Sequence, residues 1–548
     1  MGIVAGLDSS SESTRIVVCD TDTGAVIKQG YAPHPVGGSG DVDPQAWLMS
    51  LGEAAEGGLL EGVQAIGVSA QQHGLLALDA GGVLVRPALM GNDKRAQSAA
   101  ADLTEALGGR TAWAQAVGAV PTASQPVAKL RWLARNEPDS AHRVAELMQP
   151  HDWLVWQLLG RPVRRTTDRG TASSSGYWSA ANGSWRPDLV HLALGHQVRL
   201  PEVIGPADAA GHTPEGLLIS AGTGETMAAA FGLGVGIGDA VISLGASGSV
   251  FSVHHEALAD PTGTILSYAD ATGMHLPVVH TLNAVRTLRG TAELLGTDLD
   301  GLSALAMKST PGSSGLVLLP YLEGERTPHL PHTAGTLTGL RRESMKPEHL
   351  ARAAFEGMLC GLADALDVLR GRGVQVRRVF LLGPAADLQA VRAIAPALLG
   401  VQVVVPQPAD YAALGAARQA AWALGASHGT QSPHEPPRWP AAASQVFEPG
   451  EELPVGQAVR QQYVAVREQT HPGAFEPDAF EPGTVEPGAQ ETVGHAAGGG
   501  FEAGGFEAGG FEAGGFEAGG FEAGGYEAGG YETGGGHGHG AGGGYGAM

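Results

Sequence analysis

The sequence predicts an α/β protein in which two domains of related plan face a cleft, followed by a disordered, acidic, glycine-rich tail. Three observations lead there. Short β-rich runs around polar turns, with helical stretches after them, occur near the start of the chain and again after residue 240. A length of 548 residues favours more than one domain and allows a large core. Beyond residue 470 the composition changes abruptly to glycine with interspersed acids and aromatics. The expected boundaries are 1–238, 239–469 and 470–548.

Taken in order, Gly2 to Asp8 reads as a strand, Ser9-Ser10-Ser11-Glu12-Ser13 as a small polar turn, and Thr14 to Cys19 as a second strand. Asp20-Thr21-Asp22-Thr23-Gly24 turns the chain into a third strand, Ala25 to Gly30. Asp43-Pro44 starts a helix that runs to about Glu56, with Asp as cap and Pro at the first helical position. Val63 to Ser69 is a strand that ends at Gln71-Gln72-His73-Gly74. A hairpin follows, with Leu75 to Leu78 against Val83 to Val85. Gln125 to Asn136 and His151 to Leu159 are helical. At 221–230 a turn of small residues presents Glu225 and leads into an Ala-rich helix. Two strands then enclose the Gly/Ser turn Gly245-Ala246-Ser247-Gly248. The region 310–340 is loop-rich and carries Tyr321-Leu322-Glu323-Gly324-Glu325-Arg326-Thr327-Pro328. After it come a strand (Val379 to Leu382), a helix (Leu388 to Leu399), a strand (Val401 to Val405) and a helix (Tyr411 to Leu424). Residues 453–469 form a last amphipathic helix. Residues 501–535 are seven five-residue repeats of the type Phe-Glu-Ala-Gly-Gly. Glycine at that density cannot offset chain entropy by burial, so 470–548 is read as disordered.

Charge and cysteine content exclude several classes. The formal charge is −23, which argues against a nucleic-acid partner, since such a partner wants a basic patch. The segment 471–548 holds 12 acids and no Lys or Arg, so the remainder is only mildly acidic. No uninterrupted apolar run is long enough to span a bilayer, and the first residues lack the basic stretch of a signal peptide. A cytoplasmic protein with no membrane partner is expected. Cys19 and Cys360 alone argue against a disulfide framework or a Cys-based metal site. His537 and His539 would make only a weak one.

A carboxylate on a turn close to an anion-friendly loop suits phosphoryl transfer, where positioning and charge neutralisation supply most of the catalysis. Such a pairing occurs twice. Asp8 ends the first strand beside Ser9 to Ser13, whose amides and hydroxyls can cradle phosphate oxygens. Glu225 precedes the Gly245–Ser249 turn by about twenty residues. Asp8 can hold Mg²⁺ through water, because magnesium keeps several waters and uses few carboxylates. A plain turn cap is the competing reading of Asp8. A Gly-x-x-x-x-Gly-Lys-Ser/Thr loop is absent. His73 suits a sugar hydroxyl or a structural role equally, and Asp93 with Arg95 reads better as a surface salt bridge.

Several separated motifs, in order, resemble the FGGY carbohydrate kinases and, within that family, its bacterial xylulokinase branch. Gly6-Leu7-Asp8-Ser9-Ser10-Ser11-Glu12-Ser13-Thr14-Arg15 is similar to the family's first phosphate loop, and Gln72-His73-Gly74 to the sugar-contact turn. Gln125-Pro126-Val127-Ala128-Lys129-Leu130-Arg131-Trp132-Leu133 resembles one family signature. Gly335–Leu340 with His349–Gly357 resembles the other. The resemblance runs from Met1 to about residue 469. It implies two actin-like, ribonuclease-H-related domains, with sugar mainly on the first and ATP mainly on the second. It implies transfer of the γ-phosphoryl of Mg-ATP to D-xylulose. Glu225 would act as base, Gln72 and His73 would touch sugar, and Asp8 would place magnesium. Ser11, Thr14, Gly245, Ala246, Ser247 and Gly383 would hold ATP. A homodimer is compatible with the family.

Three departures from the family pattern touch that machinery. Glu225 stands where Asp is usual, one methylene longer. Ala246 replaces Thr near the phosphates. Gly383-Pro384-Ala385-Ala386 replaces a run of glycines, fixing a φ and adding side chains where backbone should approach adenosine. They leave open a second reading, a kinase-like protein that binds sugar or nucleotide in a regulatory or scaffolding role without turnover.

Overall fold

The computed structural model describes residues 2–35 and 41–475. The repeats and nearly all of the expected tail lie outside them.

Two seven-stranded sheets share one plan. In the first, Ile3–Ser9 forms an antiparallel hairpin with Ser13–Asp20, which pairs in turn with Val26–Pro33. On its other side Ile3–Ser9 runs parallel to Ala65–Ala70, and that strand runs parallel to both Leu218–Ser220 and Thr223–Gly224. Ala209–His212 closes the edge. The second sheet repeats the pattern: Gly238–Leu244 forms the hairpin with Gly248–Ser252, then runs parallel to Val376–Leu382. Gln402–Pro406 follows in parallel and Ser444–Phe447 closes the edge. His275–Thr281 and Ile265–Ala269 extend the hairpin side. The Asp8 turn and the Gly245 turn thus occupy corresponding places in two sheets of like topology. The chain has the two-domain α/β fold expected from its sequence.

The central strand Ile3–Ser9 is buried almost throughout because both faces of its sheet are covered, as parallel arrangements require. On one face it meets Trp47, Trp153 and their neighbours. On the other it meets Ala413, Ala417 and Ala420 of the helix Tyr411–Ser427, contributed by the second half of the chain. Gly6 and Gly67 permit this approach: a Cβ at either would lie 1.8 Å from Ala413 O or 1.9 Å from Ala416 O. The same helix crosses the helix Glu225–Leu233, and a Cβ at Gly415 would sit 1.9 Å from Ala228 O. Phe231, Phe251, Phe380 and Trp422 fill the space between these helices and the second sheet.

One predicted pairing differs. Leu76–Leu78 forms its ladder with Glu146–Met148, not with 83–85, which it meets only at the single bridge Leu78–Leu84. The turn itself forms, with Asp79 N donating to Val83 O at 2.8 Å, but the strand finds its partner far along the chain. The helix expected at 43–56 is Gln45–Ala54, starting one residue later than the sequence suggested: Pro44 takes the cap position, and Asp43 Oδ1 accepts the Gln45 amide at 3.0 Å from just outside it. Among the described residues no helix is long and apolar enough to cross a membrane.

Candidate active site

Three parallel-aligned strands end together and bring the first lobe's polar residues to one place. Asp8 lies opposite Ser69, and Ser69 opposite Thr223. Ser69 Oγ donates to Asp8 Oδ1 at 2.7 Å. Burial pushes the Asp8 carboxyl up to about 6; the Ser69 bond opposes that shift. Gly224, one residue past Thr223, caps the helix that begins with Glu225.

Glu225 is half-buried, and among the described residues no donor reaches its carboxylate. Burial first, then the nearby Asp8 charge, push it up to about 7. The N-terminus of its helix favours the ionised form and opposes this. The turn that carries Glu225 is held from below. Thr223 Oγ1 donates to Asp168 Oδ1 at 2.9 Å, and Asp168 also accepts the Thr171 amide at 3.0 Å. His151 Nδ1 sits 3.1 Å from Asp152 and 3.7 Å from Asp168. Burial disfavours its charged form, but the two carboxylates outweigh that and its pKa is raised. Only glycine fits at 222, where φ is +69° and a Cβ would lie 2.2 Å from His151 Nε2.

Gln72 packs under the same turn: a Cβ at Gly224 would come within 2.8 Å of Gln72 Cγ. Its Nε2 is buried without a partner, an orphaned donor of the kind that a ligand oxygen satisfies. His73 adopts the left-handed region with φ +66°. Lys129 Nζ donates to its carbonyl and to Ser124 O. Burial, then the charges of Lys129, His280 and Arg326, hold the His73 imidazole well below its ordinary pKa. Burial pushes Lys129 down to about 7, against the pull of Asp93.

The expected phosphate loops are open turns. Ser10 Oγ ties the first together, accepting from Glu12 N at 3.3 Å and Ser13 N at 3.2 Å. Ser11 is exposed on it. Thr14 is fully buried and its hydroxyl meets His34 Nε2 at 2.9 Å, so the reading of Thr14 as an ATP contact loses its side-chain basis. Gly245, Ala246 and Ser247 are exposed in the second turn. The carbonyls of Gly245 and Ala246 accept the Val285 and Ala284 amides at 3.0 and 3.1 Å, fixing the turn against the next helix. Gly383, with φ +98°, abuts this strand, and a Cβ there would lie 2.7 Å from Leu244 O. The crowding expected from Ala385 and Ala386 does not occur: both methyls turn inward and join the apolar core. Asp93 pairs with Arg95 at 2.6 Å as expected, but its side chain is only 6% exposed rather than on the surface.

Sequence reasoning missed Ser69, Thr223, Asp168 and His151. His151 read only as the start of a helix and Asp168 drew no reading at all; only the fold brings them under residue 225. A separate strand order would have been needed to find them.

The first lobe thus brings together two raised carboxylates and an orphaned amide, and each of the two sheets carries an open turn at the corresponding place. Residues 3–236 match the N-terminal domain, and residues 240–424 the C-terminal domain, of the FGGY family of carbohydrate kinases. The chain is 39% identical over 459 residues to a xylulose kinase of Streptomyces coelicolor, covering 81% of this chain and 92% of that one. It is 30% identical over 448 residues to a xylulose kinase of Haemophilus influenzae, covering 77% and 90%. A crystal structure of xylulose kinase from Bifidobacterium adolescentis superposes with a TM-score of 0.78 at 36% identity, covering 85% of this chain and 99% of that one. This chain belongs to the FGGY family of carbohydrate kinases.

Proposed function

We propose that the protein transfers the γ-phosphoryl group of ATP to D-xylulose, forming D-xylulose 5-phosphate and ADP. The single observation that carries this reading is the grouping of Glu225, Asp8 and the orphaned Gln72 amide at the joined ends of three strands, in a chain whose similar proteins are xylulose kinases. The Glu225 carboxylate takes the proton of the sugar hydroxyl as its oxygen attacks the γ-phosphorus. The bond from that phosphorus to the bridging oxygen breaks, and ADP carries away the electron pair. A base whose pKa lies near 7 is matched to that task at neutral pH. Gln72 and His73 orient the sugar. Ser11, the Gly245–Ser247 turn and Gly383 receive the nucleotide, and the sugar and ATP halves are assigned to 1–238 and 239–469.

Asp8 fits a magnesium ion held through water, since one of its carboxylate oxygens is engaged by Ser69 and a single carboxylate suffices for that ion. When bound there, magnesium supplies neutralising charge to the phosphate oxygens. Nothing in the fold favours the second reading, a binding protein without turnover: Glu225 is not sealed in the core, and the Ala385 and Ala386 side chains of the altered loop are buried. The test is ADP release by the purified protein. D-xylulose-dependent release is expected; none, or release independent of sugar, overturns the proposal.

A further inference from the structure

His73 is held from two directions and closely flanked from a third, and one hold comes from the other sheet. Lys129 binds its carbonyl. Gly91 leaves room beside it, since a Cβ there would lie 3.3 Å from His73 Cβ. On the third side its Nε2 lies 2.7 Å from the hydroxyl of Tyr268, with ring centroids 5.9 Å apart. Tyr268 is 1% exposed and sits on Ile265–Ala269, the edge strand of the second sheet. A non-glycine residue in the left-handed region persists only where its surroundings over-determine it, and such residues gather at functional sites.

Building on the proposed function, we infer that Tyr268 is a positioning residue for the sugar, contributed by the nucleotide-side lobe: its hydroxyl donates to His73 Nε2 and so fixes the imidazole with Nδ1–H turned to a substrate oxygen. The direction of the bond follows from bookkeeping of protons. Among the described residues the Tyr268 hydroxyl has no other acceptor, so an Nε2–H donor would leave the buried phenol proton unsatisfied. Among the same residues Nδ1 has no hydrogen-bond partner. The imidazole is neutral here, burial being reinforced by Lys129, His280 and Arg326, so it carries one proton, and Tyr268 decides where. Burial raises the Tyr268 phenol, which keeps it a donor. The lobe that supplies the nucleotide turns thereby also sets the acceptor's recognition.

The test is a double-mutant cycle of Tyr268→Phe and His73→Ala, read by calorimetry of D-xylulose binding without nucleotide and by imidazole-nitrogen NMR of labelled histidine. Tyr268→Phe is expected to weaken sugar binding about 3- to 10-fold and to leave the KM for ATP unchanged. In the His73→Ala background it should add nothing. The His73 resonances, identified by their loss in His73→Ala, should show one Nδ1–H tautomer in the wild type and a mixture in Tyr268→Phe. Equal effects of Tyr268→Phe with and without His73, or an unchanged tautomer, overturn the inference. A wild type that binds no D-xylulose overturns the proposed substrate instead, and the NMR result still decides the role of Tyr268.

Discussion

Glu225 combines two demands that pull against each other: a base must ionise, and its surroundings resist ionisation. Between its ordinary pKa of 4.5 and the folded value near 7, the folded protein binds a proton that the unfolded chain has lost. This group therefore stabilises the fold below pH 4.5, and that contribution is lost as pH rises through 7. Glu225→Gln, neutral throughout, should melt higher than the wild type at pH 8 by on the order of 1 kcal/mol and close to it at pH 5, read by calorimetry at both. The same variant should lose about 10²–10⁴-fold in kcat. In the wild type kcat should rise with pH to a plateau above about 7; a flat profile would show that another group takes the proton. Lys129 acts differently. Lys129→Met keeps the side-chain length but leaves the carbonyls of His73 and Ser124 without their donor. A loss of about 1–3 kcal/mol in denaturant titration is expected, together with a raised KM for sugar. Position 129 was visible in the sequence only as part of a family signature. Its work could not be read there, because both acceptors belong to loops and one lies 56 residues away.

Where two helices must touch backbone to backbone, element-scale stability rests on missing side chains. Glu225–Leu233 and Tyr411–Ser427 meet through Gly232 and Gly415, and a Cβ at Gly232 would lie 2.1 Å from Tyr411 O. Gly415→Ala would force these helices apart and with them the first turn that carries Glu225. Overpacking typically costs about 1–3 kcal/mol, and here the obstacle is backbone, which cannot rotate away. The variant should unfold at lower denaturant and lose kcat more than it loses sugar affinity; wild-type behaviour on both would refute the packing account. Both hairpins that begin the two sheets were legible, because turn residues and flanking β-rich runs are local signals. The pairing of Leu76–Leu78 was not, because its partner Glu146–Met148 is remote and the intervening turn looks complete by itself. Tyr268 was missed for a related reason: an aromatic on a strand reads as core, and only the contact between sheets gives its hydroxyl a purpose.

At the scale of the whole molecule, the repeated plan was readable from two runs of strands and helices, while the exchange of a helix between halves was not. Hydrophobic pattern shows that Tyr411–Ser427 is buried, not that it covers the first sheet. The three departures from the family pattern were visible as residues, yet their consequence at 383–386 depended on which way two methyl groups turn. The charge distribution leads to a last expectation. Residues 476–548 carry 12 acids and no basic residue, and removing them leaves a formal charge of −11. Both family matches end by residue 424, and the final described helix, Leu453–Thr470, returns to the core through Val459 and Tyr463. A chain ending after residue 475 should therefore keep kcat and the KM for sugar within about twofold. Only the encounter with anionic ATP should change, because like charge slows approach and salt screens it over about 8 Å at physiological ionic strength. At low salt the shortened chain should show a lower KM for ATP than the full chain, and the difference should vanish near physiological salt. A fall in kcat at both salt concentrations would mean that the terminal segment takes part in turnover.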